Sequence, residues 1–247
     1  ASEGLGLWAG RAAAGEVGWS VPPLPDLAAV LDGGRWFETM PRYGTSVFTA
    51  RARIGGRSYA VVASNAASTT ATVPVDPGDR ASVARSRTRG GAVLYPESSY
   101  KFAQTLADAD REGLPCLVWA NWRGFSGGTS DMFDAVLKYG SMILDKLRVH
   151  RAPVWVYVGP GCQLRGGAMV VMAGSVSPRV RFWADPAARI GILEANAAYD
   201  VKFKKRLDPS LPMRRALDVV DAHHHPDGDA VVLCPLDDLR RRLVDAV

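Results

Sequence analysis

The sequence predicts an α/β domain, and three observations carry that prediction. Two short continuous apolar runs, LPCLVWAN (114–121) and PVWVYVG (153–159), have the composition of strands buried on both faces. Each is followed by a glycine-rich loop and then by an apolar segment of helical period, so strands alternate with crossovers whose loops open at one end of the sheet. At 247 residues and 47% hydrophobic content, the chain can fill a substantial core.

Taken in order, SVFTARARIGG and RSYAVVAS flank Gly55-Gly56 and read as a hairpin. Asn65 to Gly91 is rich in Ser, Thr, Ala, Pro, Asp and Arg; its VPVDPGDR stretch (73–80) reads as an extended surface loop, and the segment is expected to be the most flexible part of the chain. SSYKFAQTLADADREG places Tyr100, Phe102, Ala103, Leu106 and Ala109 on one helical face and stops at Gly113. Beyond the strand LPCLVWAN and the loop WRGFSGGTS, DMFDAVLKYGSMILDKLR predicts one helix, with Asp131 and Asp134 at its positive end and Lys146 and Arg148 near the other. PVWVYVG, PGCQLRGG and AMVVMAG repeat the strand, loop and helix order, the last as a short, almost wholly buried helix. RVRFWADP and RIGILEA read as two further strands. PLDDLRRRLVDAV aligns Leu236, Leu239, Leu243 and Val247 on one helical face, available to a partner. No internal sequence repeat and no charged linker divides the chain.

Composition excludes several classes. No uncharged apolar run is long enough to cross a bilayer, and ASEGLGLWAG lacks the features of a secretion signal, so a cytoplasmic protein without membrane contact is expected. Cys116, Cys162 and Cys234 are widely spaced and predict buried free thiols, with no metal site. The run His223 to His225 lacks companion ligands and reads as a solvated loop. The net charge of +5 gathers in Lys202 to Arg206, Arg214-Arg215 and Arg240 to Arg242. With no nucleic-acid-binding motif present, a polyphosphorylated small molecule accounts for it better than nucleic acid does.

The chemistry is concentrated in ANWRGFSGG, Ala120 to Gly128. Paired glycines between a strand and a helix leave backbone N–H groups free to converge on one oxygen, as in an oxyanion hole. Gly127-Gly128 and Gly166-Gly167 both stand in this setting, each with an arginine nearby, Arg123 and Arg165. GFSGG also fits the G-x-S-x-G elbow of a serine hydrolase, with Ser126 as nucleophile. Three residues separate that motif from the strand, however, and no histidine stands in the context of a general base.

ANWRGFSGG, the helix DMFDAVLKYGSMILDKLR and then LRGG together resemble the carboxyltransferase component of acetyl-CoA carboxylase, of the eukaryotic multidomain type, and specifically its C-terminal half. The resemblance runs from about Leu31, in LDGGRWFETMPRYGTSVFTARARIGG, through GAVLYPESSYKFAQTLADADREGLP to about Lys205 in ILEANAAYDVKFKK. It implies a crotonase-like fold of stacked ββα units over residues 1–206, with residues 207–247 as a short helical tail. It implies transfer of a carboxyl group from carboxybiotin, carried on a carrier domain, to acetyl-CoA, giving malonyl-CoA. By the same resemblance Arg123 grips the transferring carboxylate, and Gly166 and Gly167 form an oxyanion hole. Trp122 and Phe125 wall the acyl and biotin pocket together with Gly127 and Gly128. Glu194 lies at the active-site edge, and Lys202 and Lys204 contact CoA phosphates.

The implied partners are an N-terminal carboxyltransferase half, which completes the site, and a biotin carboxyl carrier domain, in a dimer or higher assembly. The chain is then expected to be a fragment or one of two separately encoded subunits. Two departures motivate a second reading. Cys162-Gln163 replaces the family's Gly-Glu, and Glu194-Ala195-Asn196-Ala197 replaces Glu-Pro-Glu-Gly. A domain that lost these acids is a non-catalytic CoA-binding or assembly module.

Overall fold

The computed structural model describes residues 24–193 and 231–246. Its centre is a seven-stranded sheet ordered β1 (Trp36–Glu38), β2 (Val47–Ile54), β3 (Arg57–Ser64), β6 (Cys116–Trp119), β7 (Val154–Val158), β9 (Val180–Ala184) and β11 (Val231–Leu233). The first three strands pair antiparallel and every later neighbour pairs parallel. The β2–β3 hairpin forms where the sequence places it. Gly55 and Gly56 both take positive φ (59° and 79°), which a two-residue turn of this twist requires. The Asp32 carboxylate accepts both turn amides, at 2.9 and 2.7 Å.

Both faces of the sheet are covered, which explains the unbroken apolar runs. On one face Val62, Val118 and Val156 meet helices α2 (Pro96–Glu112), α4 (Val136–Val149) and α5 (Gly166–Met172) through Phe102, Leu106, Ile143, Leu147 and Met172. On the other, Tyr59, Leu117, Trp119, Trp155 and Tyr157 meet α1 (Leu24–Val30) and a last helix, α6 (Leu236–Asp245). Helix α2 has Pro96 at its first position, and the Tyr95 N–H donates to Ser98 Oγ at 2.8 Å. It stops at Gly113, whose φ of 68° turns the chain out of the helix.

A second, smaller layer lies across the end of the sheet. Strand β8 (Gln163–Arg165) pairs parallel with β10 (Arg189–Gly191), Leu164 bridges Trp122, and Phe125 bridges Leu94. A sheet strand, a second-layer segment and a helix recur along the chain as β3, 94 and α2; β6, 122–125 and α4; β7, β8 and α5. The chain thus repeats a ββα unit although no repeat is legible in its sequence. Position in the stack constrains each unit only to a polarity pattern and a glycine at the helix entry, and many residues satisfy that.

Four expectations need correction. Asn65 to Gly91, expected to be the most flexible part, contains an antiparallel hairpin of β4 (Thr69–Val73) and β5 (Arg85–Arg89), held to the body by ion pairs given below, while VPVDPGDR beyond Val73 lies in its exposed connecting loop as expected. The predicted single helix over 131–148 is broken at Ala135, whose φ is 60°, into α3 (Thr129–Phe133) and α4. Helix α5 begins at Gly166 and is not almost wholly buried, since Val170 is 57% exposed. The apolar face of the last helix is used within the chain: Leu239 and Leu243 are fully buried, and Tyr59 Oη donates to the Leu243 carbonyl at 3.0 Å. The three cysteines are free and buried, as expected.

Candidate active site

The glycine loops lie at the ends of adjacent second-layer segments and meet there. Trp122 accepts the Arg165 N–H at 2.9 Å through its carbonyl, which sets the two loops in register. A side-chain carbon at Gly166 would lie 3.4 Å from the Arg123 carbonyl oxygen, and one at Gly167 would lie 3.0 Å from the Phe125 ring. That ring is also wedged against α4, where a carbon on Gly140 would approach it to 2.8 Å. Phe125 therefore joins both loops to one helix face and fills the space that each glycine leaves.

Arg123 is exposed, and its side chain forms no ion pair among the described residues. Its backbone N–H donates to the Ala92 carbonyl at 2.8 Å, which directs the loop outward at this point. Gly124 follows with φ 140°, a region glycine favours, and nothing occupies the space where its side chain would be. The same is true over Gly127, whose N–H has no acceptor among the described residues. Gly128 precedes α3, and its N–H lies 3.4 Å from Ser126 Oγ.

In the second loop the two glycines differ. Gly166 takes φ +55°, and its N–H already donates to the Ile192 carbonyl at 3.0 Å. Gly167 is the second residue of α5, where an N–H has no partner inside the helix. Trp122 lies deeper than a wall residue: its indole is fully buried and stacks on Phe102, ring centroids 5.6 Å apart. It is the floor beneath the loop. Glu194, Lys202, Lys204, Asn196 and His223 to His225 lie outside the described residues.

Ser126 has no histidine partner among the described residues. Its hydroxyl donates to Asp131 Oδ2 at 2.5 Å. The other oxygen, Oδ1, accepts from both Arg87 and Arg89, each at 2.7 Å. Burial pushes the Asp131 carboxyl up, but the Ser126 hydrogen bond and the two guanidiniums outweigh it and hold the group below its usual range. An acid so neutralised is a poor base, and the G-x-S-x-G match serves here as a loop anchor. His150 is elsewhere, buried, with Nε2 3.4 Å from Cys116 Sγ and Nδ1 2.9 Å from the Ala152 carbonyl.

The network around Asp131 escaped the sequence reading. Arg89 is buried, forms a two-pronged pair with Glu97 (2.6 and 2.7 Å) and lies 4.1 Å over the Tyr95 ring. A signal was present: R-S-R-T-R, alternating arginine at strand period in a segment expected to be flexible.

Stacked ββα units with paired glycine loops at the helix entries define a crotonase-like domain. Within that class the chain belongs to the carboxyl transferase domain family, whose model matches residues 26–247. It is similar to acetyl-CoA carboxylase of Dictyostelium discoideum, 39% identical over 195 residues, or 75% of this chain and 8% of that protein. It is also similar to acetyl-CoA carboxylase 2 of Oryza sativa subsp. japonica, 36% identical over 211 residues, or 81% of this chain and 9% of that protein. The chain thus spans less than a tenth of these relatives. Among solved structures, the fold matches the beta subunit of Pseudomonas aeruginosa geranyl-CoA carboxylase (TM-score 0.66, 17% identity) and transcarboxylase 12S with methylmalonyl-coenzyme A bound (0.67, 19%). Each match covers 90% of this chain and 40% of the other. No described helix is long and apolar enough to cross a membrane.

Proposed function

We propose that this chain is the C-terminal half of a biotin-dependent acetyl-CoA carboxyltransferase, moving a carboxyl group from carboxybiotin to acetyl-CoA to give malonyl-CoA. The observation that carries the reading is the junction of the two glycine loops, with Arg123 exposed beside it and in no ion pair among the described residues. A thioester methyl group is a weak carbon acid, so its enolate must be met by positioned donors. The Gly127 and Gly167 amides are proposed as such donors, since neither has an acceptor among the described residues. Gly166 contributes mainly the turn, because its own N–H is taken. Arg123 supplies the planar fork that suits a carboxylate better than a point charge does. Phe125 walls the pocket and Trp122 supports it from below.

On this reading Glu194 lies at the site's edge, and Lys202 and Lys204 hold CoA phosphates. Residues 1–206 form the catalytic domain, and residues 207–247 form a tail whose last helix returns to the sheet. An N-terminal half and a biotin carboxyl carrier domain complete the assembly, as a dimer or larger, in the cytoplasm. The non-catalytic alternative draws on Gln163. It stands next to the second loop without a carboxylate, and its backbone N–H is held by Asn121 Oδ1 at 3.1 Å.

Titrating the purified chain with malonyl-CoA, alone and with a family N-terminal half, separates the two. Binding and malonyl-CoA decarboxylation in the mixture are expected; neither, in a mixture shown to be assembled, would establish the non-catalytic module. Arg123→Ala should lower the rate by roughly 30- to 150-fold, the loss of a clamp of about 2 to 3 kcal/mol. A near-normal rate would place the carboxylate elsewhere.

A further inference from the structure

We infer that Arg89, with Arg87 beside it, is a positioning residue for the loop that carries Arg123, so that the β4–β5 hairpin is the support of the active site rather than an appendage. The inference rests on the carboxyltransferase reading for its consequence and on geometry for its substance.

Two sets of contacts tie the hairpin to the loop. The first is side-chain. Arg89 and Arg87 share Asp131 Oδ1, and Asp131 Oδ2 takes the Ser126 hydroxyl inside the loop. Arg87 also reaches Ser130 Oγ at 3.1 Å and Asp134 Oδ2 at 3.0 Å, so it spans α3. The second is backbone. The residues just after β5 run beside the loop as an extra strand: Arg123 N–H to Ala92 O at 2.8 Å, Leu94 N–H to Gly124 O at 3.0 Å, and Ser126 N–H to Leu94 O at 2.8 Å. The hairpin base is closed tightly enough to transmit position, since a side-chain carbon on Gly91 would lie 1.9 Å from the Ala66 carbonyl oxygen.

Arg89 is the central member. It is 5% exposed and meets Asp131, which is 6% exposed, while its other edge is saturated by Glu97 at the start of α2. A planar guanidinium holds one carboxylate in two prongs on one edge and reaches a second carboxylate from another in a fixed plane, whereas an ammonium has three donors and no such fork. Arg89 therefore fixes the distance between the start of α2 and the start of α3, and the Arg123 loop is strung between them. Trp122 and Phe125 anchor the inner side of the loop, and its exposed outer residues, Arg123 among them, gain a single conformation from this frame; a clamp 1 Å out of place loses much of its effect on rate.

Amide hydrogen exchange on the intact chain tests the substance. In Arg89→Gln, the Arg123, Ser126 and Met132 amides should exchange at least 10-fold faster, with the β6 and β7 amides unchanged. Arg89→Lys should restore only part of the protection. Unchanged exchange at Arg123 and Ser126 in a folded variant overturns the inference. Should Arg89→Gln lose protection throughout the sheet, Arg87→Gln, at the more exposed position, is read by the same criterion. Malonyl-CoA decarboxylation with the N-terminal half tests the consequence: Arg89→Gln should lower kcat about 10-fold at unchanged KM. A loosened loop with an unchanged kcat overturns the positioning role. A wild-type mixture without activity overturns the carboxyltransferase reading and leaves the exchange result standing.

Discussion

Phe125 is the residue on which the geometry of the site turns, because one ring touches two glycines from different units. Its clearance is smaller than a methyl group on either side. Gly140→Ala forces the ring toward Gly167 or bends α4, and overpacking of this kind costs roughly 1 to 3 kcal/mol. Thermal unfolding should show that loss. Adding Phe125→Leu should return part of it, because the two sites share one space and their effects cannot be additive. Equal losses in the single and double variants would show that the clash lies elsewhere. None of this was legible in the sequence, where Gly140 is an unremarked glycine in a helical pattern. Arg123 and the paired glycines were legible, since the motif itself carries them. The difference between Gly166 and Gly167 was not, because it depends on the Ile192 carbonyl, which arrives from another unit.

Between elements, helix α2 is pinned to the sheet by Lys101, whose Nζ donates to the Val47 carbonyl at 2.7 Å with the side chain fully buried. Burial pushes its ammonium down to about 8, with the Glu38 charge opposing in part. The folded chain therefore gives up this proton near pH 8, while the unfolded chain holds it to about 10.5. The cost of burying the charge is present in full below pH 8 and fades as pH rises, so stability should climb there. The window closes near pH 9, where the unfolded chain begins to ionise cysteines that burial keeps neutral in the fold, Cys116 at about 12 and Cys162 at about 11. From about pH 7 to 8.5, below the range where the cysteines ionise in the unfolded chain, urea midpoints should rise in the wild type and stay nearly level in Lys101→Met; parallel slopes would assign the rise to another group. Strands and helices were legible wherever burial left an apolar pattern, as the unbroken runs of β6 and β7 and the helical period of α2. The β4–β5 hairpin was missed because most of its residues face solvent, and exposed strands of small polar residues carry no hydrophobic pattern. Its order comes from arginines whose partners lie about 8 and more than 40 residues away.

At the scale of the whole molecule, the described ends of the chain close one face of the sheet together. Helix α1 brings Leu27 and Val30, α6 brings Leu239 and Leu243, and Asp32 pairs with Arg240 at 2.5 Å. Burying each leucine is worth roughly 2 kcal/mol, so removing residues 236–247 should cost on the order of 4 kcal/mol, a large share of a typical domain's stability. Tryptophan emission should shift to the red in the truncated chain as Trp155 and its neighbours meet water. An unshifted spectrum would mean that α6 is dispensable. The α/β class and the stacked fold were readable from the order of strands, loops and helices together with the resemblance. The destination of the last helix was not, because an amphipathic face shows that something covers it and never what.

That last helix also governs timing. A ribosome delivers the chain from its N-terminal end at about 5 to 20 residues per second, so several seconds separate the emergence of Trp155 and Trp183 from that of Leu243. Throughout that interval the aromatic rings on this side of the sheet have only helix α1 against them. Until Leu239 and Leu243 arrive, those rings are apolar surface open to a chaperone or to another nascent chain.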